Sequence, residues 1–419
     1  MSLRELVEQE ALEAGRAVPL LRDDAVGAAL TEAAAIVRER RPEILAANAA
    51  DCEAAAGRLD EGTLDRLRLD DERVEKLAAQ AETTAGLEPL EREIASWSLP
   101  NGLRVSERRI PIGTVGANFE ARPNVALDVA GQLLKSLNAA VLRTGGAALR
   151  TVTVLVDGVL RPALERNGLP SGAVGLVRSA DREGARVLVG LPRLVPLVIL
   201  RGSGPTTAAL ARLAAEKGVR TLAHAEGGGV LYVHEAASPE RALRVVDASL
   251  DRLGVCNRLN LALVDRGAAA ILPDLLTVFE RRGLEVRGTE RAAGHAEVLP
   301  LDVPVGHEWA SDSERVATVT VDVVDGLEDA LRIANEETSG LAAGIATEDR
   351  DAAERFLDGY RGTAAFWHAP TRFADGFELT GAPETGINVD GVPGPRGPVS
   401  YRDLWLRQYR IVGDGSQAR

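Results

Sequence analysis

Cys256 stands in Leu253-Gly254-Val255-Cys256-Asn257, between a helical run and a β-rich one. A thiolate at such a junction is reachable and forms covalent intermediates, so the position suits a nucleophile; the commoner alternative is a small, buried, apolar residue. The other cysteine, Cys52, falls inside an amphipathic helical run and reads as packing or surface. Two cysteines exclude a disulfide framework and a cysteine-rich zinc site, and no metal site is expected. Arg122, in Glu120-Ala121-Arg122-Pro123-Asn124, falls between a strand end and a helix start, where α/β proteins bind ligands. Pro123 and Asn124 also suit a helix's first turn, and a helix N-terminus itself attracts anions. The usual local signatures are missing: no Gly-x-Gly-x-x-Gly, phosphate-binding loop, Gly-x-Ser-x-Gly elbow or His-Glu-x-x-His occurs. Gly202-Ser203-Gly204 and Gly227-Gly228-Gly229 are glycine-rich turns, weak signals taken singly.

The elements around these residues follow from periodicity. Apolar positions Val26, Leu30, Ala33, Val37, Ile44 and Leu45 recur at helical spacing, and a second helical run covers 72–85, so the first ~95 residues form a helical layer that needs a sheet to pack on. From Ile112 short β-rich runs (114–118, 139–143, 173–177, 197–200, 219–223, 230–233) alternate with helices (125–137, 148–167, 205–217), the pattern of a doubly wound parallel sheet. The alternation resumes after a helix at 239–252, with strands at 260–265, 318–324, 342–346 and 363–367, giving a second α/β unit. The stretch 380–398 is rich in Gly and Pro and reads as an ordered loop before a last strand near 409–412.

The chain's 419 residues allow two or three domains. A net charge of −13 argues against a nucleic-acid backbone as partner. The longest apolar runs, such as 194–200, fall well short of a membrane span, and the first residues lack the apolar core of a signal peptide. A cytoplasmic protein is expected. Only three lysines occur, Lys76, Lys135 and Lys217, so each is conspicuous.

The run Ile110-Pro111-Ile112-Gly113-Thr114-Val115-Gly116-Ala117-Asn118-Phe119-Glu120-Ala121-Arg122-Pro123-Asn124-Val125, followed by Leu134-Lys135-Ser136-Leu137-Asn138-Ala139-Ala140-Val141-Leu142-Arg143, resembles the γ-glutamyl phosphate reductases, a branch of the aldehyde dehydrogenase superfamily. Gly254-Val255-Cys256-Asn257, Thr371-Arg372-Phe373-Ala374-Asp375-Gly376 and Arg396-Gly397-Pro398 match in the same order, so the resemblance covers nearly the whole chain. It implies an aldehyde-dehydrogenase-like α/β fold: an NADP-binding domain over 1–252 with the helical layer, a catalytic domain over 253–375 bearing the cysteine, and a return segment and oligomerisation tail over 376–419, with residues near 98–110 contributing to a homo-oligomer.

The resemblance also implies the chemistry. Cys256 becomes the nucleophile that forms a thioester from an acyl phosphate, most simply L-glutamyl 5-phosphate, which NADPH then reduces to the semialdehyde of proline biosynthesis. Oxyanion donors are the backbone N–H of Cys256 or Asn257 and the side chain of Asn124 or Arg122. NADP(H) falls to Arg143, Gly145, Gly146, Gly202 and Ser203; substrate falls to Arg122, Lys135 and Arg372. Partners are the small-molecule acyl phosphate or semialdehyde and the kinase that makes the acyl phosphate, with no nucleic acid and no membrane. Where the superfamily carries a water-activating glutamate, His224 and Glu226 stand nearby, and either a base or a solvated turn fits. Asn260 and Leu261 replace the family's Glu-Thr after the nucleophile, and Gly228-Gly229-Val230 replaces a stretch that carries cysteine and histidine. These exchanges leave open a paralogue acting on another acyl phosphate or aldehyde, or a non-catalytic relative.

Overall fold

The structure, a computed structural model, describes residues 2–202, 204–224, 227–312, 314–391 and 394–417, apart from the side chains of Glu61 and His224. The chain forms two compact units: one of Met1–His224, Ala382–Gly386 and Val399–Arg419, the other of Ala225–Gly381 and Ile387–Pro398.

The first unit is built on a five-stranded parallel sheet ordered Val174–Leu176, Ala139–Thr144, Thr114–Phe119, Leu197–Arg201, Arg220–His224. The chain builds outward on one side of Thr114–Phe119 and then crosses to the other, placing a topological switch point between Thr114–Phe119 and Leu197–Arg201. Both central strands are buried along almost their whole length, as expected where helices cover both faces. Helices Asp23–Glu39, Asp71–Gly86 and Asn124–Lys135 pack on one face around Val26, Leu30, Val37, Val74 and Val129. The helix expected over 148–167 is interrupted: Leu149–Thr153 and Arg161–Arg166 are α-helical, but Val154–Leu160 between them is π-helical. Pro162 has no N–H for residue 158 and its ring crowds that carbonyl, so the turn before it widens.

The second unit holds a seven-stranded sheet, ordered Leu299–Pro300, Glu285–Gly288, Thr318–Val324, Leu259–Asp265, Gly229–Val233, Ala342–Ala346, Ala364–Trp367, with parallel pairing throughout. Sequence periodicity groups the strand at 230–233 with the first block; it pairs instead with Leu259–Asp265 and Ala342–Ala346, and the first unit's sheet ends at His224. A continuous apolar strand fits any parallel sheet, so periodicity alone cannot assign it.

A separate antiparallel sheet joins Glu93–Ser98, Arg104–Pro111 and the C-terminal Trp405–Val412. Its last strand is longer than the 409–412 expected, and the sheet leaves Ile94, Trp97, Leu406, Tyr409 and Ile411 exposed. Within 380–398 short strands at Gly386–Asn388 and Gly397–Val399 pair, so the segment is more ordered than its Gly and Pro content suggests. Among the described residues no helix is long and apolar enough to cross a membrane.

Glu10 ties the first helix to the sheet. Its nearly buried carboxylate accepts from Arg161 Nη2 (3.0 Å), Arg178 Nη1 (2.8 Å) and the Leu176 N–H (3.1 Å). Glu10→Ala strands a strand amide and leaves Arg161 and Arg178 with only Asp157 and main-chain carbonyls, and should lower stability in urea unfolding by about 2 kcal/mol.

Candidate active site

Three segments of the second unit converge at Cys256. Gly228 N–H donates to Cys256 O (2.6 Å) and Gly229 N–H to Arg258 O (2.7 Å). The approach excludes side chains: a methyl group at Gly227 would lie 2.6 Å from Cys256 Cβ and 2.5 Å from Glu308 Oε1, and one at Gly229 would lie 2.5 Å from Thr371 Oγ1. Gly228 has φ +103°, a conformation L side chains rarely adopt. The glycine triplet thus forms a bed for Cys256, which is half-buried, outside any disulfide, and packs beside Leu341, Phe366, Ala374 and Ile387.

Asn257 is buried, and its side chain serves the fold. Nδ2 donates to the carbonyls of Arg372 (3.0 Å) and Ala374 (3.2 Å), and Oδ1 accepts from Arg372 Nη1. Thr371 Oγ1 donates to Asn257 O (2.9 Å), so 371–374 is stitched to the cysteine loop. Arg372, expected to bind substrate, has its guanidinium on Asn257 and on Asp251 Oδ1 (2.5 Å). It is placed next to the cysteine loop but is occupied in holding it.

Asn260, where the family pattern has a carboxylate, donates through Nδ2 to His307 O (2.6 Å) and accepts through Oδ1 from Trp309 N–H (2.9 Å). These two bonds bracket Glu308, whose carboxylate reaches the space over Gly227. Arg258 is fully buried; Nη2 donates to Thr318 O (2.6 Å), while Nε and Nη1 have no partner among the described residues. Burial lowers its pKa to about 10, against the opposing pull of Glu308. Sequence reading missed both residues. A charged side chain inside Cys256-Asn257-Arg258-Leu259 was the available signal for Arg258, whereas nothing in the His307-Glu308-Trp309 stretch marks Glu308.

In the first unit the expected ligand residues gather at the carboxyl ends of the strands beside the switch point. Asn124 opens the helix Asn124–Lys135 and its Nδ2 donates to Asp128 Oδ2 (3.0 Å). Ala121, in the loop just before, has φ +45°, a strained conformation of the kind that accumulates at functional sites. Arg122 is half-buried in the same loop. A methyl group at Gly145 would meet open space, whereas one at Gly146 would lie 3.1 Å from Ala180 Cβ; one at Gly202 would lie 3.5 Å from the Glu120 carboxylate. Ser203 lies outside the described residues, as do Glu226 and the side chain of His224.

Two of the expected ligand residues are also engaged within the fold. Arg143 is 3% exposed, with Nη1 on Asn118 Oδ1 (3.2 Å) and Nη2 on Asp181 O (2.9 Å) while Nε has no partner among the described residues, and burial lowers its pKa despite Glu120 and Asp181. It ties strand ends together. Lys135 sits at the opposite end of its helix from Asn124, about 16 Å away by helical rise. Its Nζ donates to Ala85 O (3.1 Å) at the end of the helix Asp71–Gly86, and burial lowers its pKa. A lysine at a helix C-terminus answers unpaired carbonyls there. The residue that sequence reading passed over is Asp128, an acid inside the apolar run Val125-Ala126-Leu127-Asp128-Val129-Ala130 and one turn beyond Asn124.

The fold has solved counterparts. An acetylating aldehyde dehydrogenase from Geobacillus thermoglucosidasius matches with a TM-score of 0.69 at 15% identity, covering 100% of this chain and 98% of that one, so the architecture is aldehyde-dehydrogenase-like. A crystal structure of γ-glutamyl phosphate reductase from Thermotoga maritima matches far better, with a TM-score of 0.92 at 29% identity over 99% of this chain and 100% of that one. No family model matches the chain. The γ-glutamyl phosphate reductase of Caulobacter sp. (strain K31) is 37% identical over 393 residues, 93% of this chain and 92% of its own. That of Erythrobacter litoralis is 36% identical over 407 residues, 97% and 95% respectively. The chain belongs to the γ-glutamyl phosphate reductase family, a family of oxidoreductases.

Asp128 gives the site a measurable titration. Burial raises its pKa to about 6, with Arg201 and Asn124 opposing. The folded state therefore holds the proton to higher pH than the unfolded chain, and stability falls as pH rises from 3.8 through about 6. Asp128→Asn removes this dependence. Between about pH 4.5 and about pH 7.5, the variant should gain about 2 kcal/mol on the wild type in urea unfolding.

Proposed function

We propose that the chain reduces L-glutamyl 5-phosphate to the semialdehyde with release of phosphate, NADPH and a proton being consumed and NADP+ formed, as a step of proline biosynthesis. The observation that carries this reading is the seating of Cys256 on a glycine bed that no side chain can enter, in a chain of this family. Cys256 Sγ, as thiolate, attacks the acyl carbon; the bond to the phosphate oxygen breaks, phosphate leaves with the electron pair, and a thioester remains on the protein. The tetrahedral species before it carries charge on oxygen, and the backbone N–H of Cys256 or Asn257 is the assigned donor. Asn257 contributes through its main chain, since its side chain is engaged with 372–374. Arg372 acts by positioning the loop.

The crevice of the first unit fits a dinucleotide. It lies at a topological switch point, the Gly145-Gly146 turn is open on one side, and Gly202 leads into the 14-residue helix Gly204–Lys217. Gly145, Gly146 and Gly202 are assigned to hold the cofactor, with Arg143 fixing the strand ends behind them. A nicotinamide held there would supply hydride for the reduction.

The exposed Ile94, Trp97, Leu406, Tyr409 and Ile411 on the three-stranded sheet are assigned to contacts between copies of the chain. Ile411→Asp should shift the sedimentation coefficient of the purified protein toward a smaller species; a wild type that sediments as a monomer removes this assignment.

Cys256→Ser should reduce kcat/KM for phosphate-dependent NADP+ reduction with L-glutamate 5-semialdehyde by at least about a thousand-fold, while leaving the urea midpoint nearly unchanged. The wild-type gene should restore growth without proline to a bacterial auxotroph lacking this reductase, and the Cys256→Ser gene should not. Good expression of the wild type without growth overturns the proline role.

A further inference from the structure

Gly227 separates two reactive groups. A methyl group there would lie 2.5 Å from Glu308 Oε1 and 2.6 Å from Cys256 Cβ, so one methyl-sized volume stands between the carboxylate oxygen and the β-carbon of the cysteine. Glu308 is held in place through its neighbours. Asn260, on the strand Leu259–Asp265 that begins just after the cysteine loop, donates to His307 O (2.6 Å) and accepts from Trp309 N–H (2.9 Å). Trp309 is fully buried, and its Nε1 donates to Thr320 Oγ1 (2.9 Å) on the neighbouring strand Thr318–Val324. Thiol and carboxylate are thus both positioned from the start of one strand. Arg258, two residues beyond Cys256, is fully buried and feels the charge of Glu308. A buried guanidinium calls for one compensating negative charge, which is what a thiol and a carboxylate sharing one proton provide. Other charges on the segments packed here are engaged: Arg372 is bonded to Asn257 and Asp251, His307 Nε2 faces Asp312 Oδ2 (3.4 Å), Asp312 also holds Arg315, and Arg396 is bonded to main-chain carbonyls.

We propose that Glu308 is the proton carrier of the cysteine: its Oε1 takes the proton from Cys256 Sγ as the thiol attacks the acyl carbon, and passes it to the departing phosphate. The inference deepens the reductase reading and rests on it. An acyl phosphate breaks between the carbon and the bridging oxygen, and without a proton that oxygen would leave on a phosphate trianion, a strongly basic leaving group. The bridging oxygen is bonded to the carbon that Sγ attacks, so one carboxylate beside the thiol serves both ends of the transfer. The bond from Sγ to carbon forms and the bond from carbon to oxygen breaks. The electron pair goes to that oxygen together with the former thiol proton, and phosphate leaves as the hydrogen phosphate dianion. When the aldehyde is formed, Sγ departs with its bonding pair and takes from solvent the one proton that the overall reaction consumes.

The first test needs no substrate. Alkylation of Cys256 by iodoacetamide, read by mass spectrometry to separate it from Cys52, is followed against pH in the wild type and in Glu308→Gln. Ionising the thiol beside a carboxylate sets two like charges together, so the profile's midpoint should move down by at least about one pH unit in Glu308→Gln, making alkylation near pH 7 about ten-fold faster. A midpoint unmoved in Glu308→Gln overturns the inference, even if Glu226→Gln moves it.

Turnover should move the opposite way. In phosphate-dependent NADP+ reduction with L-glutamate 5-semialdehyde, Glu308 takes the proton of the incoming hydrogen phosphate, and kcat/KM should fall about 100-fold in Glu308→Gln. Glu308→Asp, which keeps a carboxylate, should recover part of that loss. A purely structural role does not produce faster alkylation together with slower turnover. Wild-type turnover in Glu308→Gln overturns the proton carrier. A lowered alkylation midpoint in a protein whose wild type has no reductase activity keeps the coupling of thiol and carboxylate and removes the reductase reading; reductase activity with an unmoved midpoint does the reverse.

Discussion

The N–H groups of Gly228 and Gly229 reach the carbonyls of Cys256 and Arg258, and everything around the cysteine is arranged to permit that contact. Two main chains approach this closely only where one lacks side chains, so 227–229 must be glycine for geometric reasons alone. The third segment, 371–374, is then drawn in by Thr371 and Asn257, and the fourth, 307–309, by Asn260. The thiol is left on a surface whose shape is set by backbone atoms, which move less than side chains and present fixed dipoles. The exchanges that distinguish this chain from its family's pattern, Asn260 and Gly228-Gly229, lie within this framework and bear on how the loop is held. They are weak grounds for assigning a different substrate.

The alternation of strands and helices, the helical layer and the two α/β units are all legible from periodicity, because parallel strands buried on both faces produce short, strongly apolar runs. Which sheet Gly229–Val233 joins is not legible, since its sequence would suit either. The π-helical turn before Pro162 also escapes a reading that asks only whether a run is helical. Arg122, Asn124 and Cys256 stand out by context and by resemblance. Asn257, Arg372, Arg143 and Lys135 stand out by the same rules, yet their polar atoms turn inward to carbonyls and side chains of the fold. Residue type and spacing identify a polar side chain at a strand end or loop; they do not say whether it faces a ligand or braces the loop that does.

Asp128 illustrates the converse. An acid in the middle of Val-Ala-Leu-Asp-Val-Ala is conspicuous in the sequence, but its meaning depends on what surrounds it in space. Burial raises its pKa against the pull of Arg201 and of the Asn124 amide, so that a residue written as an acid holds its proton to a higher pH than a free carboxylate does.

The first unit closes only with the end of the chain. Val399 and Leu404 join its core, Tyr401 bonds to Gln132 Oε1 and to Glu88 O, Asn138 holds the Leu404 carbonyl, and Trp405–Val412 completes the outer sheet. Because the second unit is inserted before that return, a ribosome delivers the whole of it before the first unit has its last strand. Vectorial synthesis therefore yields an N-terminal half that waits, partly open, for residues made some three hundred positions later. A premature stop near residue 400 would damage the earliest-made part of the protein and leave most of the cysteine-bearing unit's sheet and helices encoded.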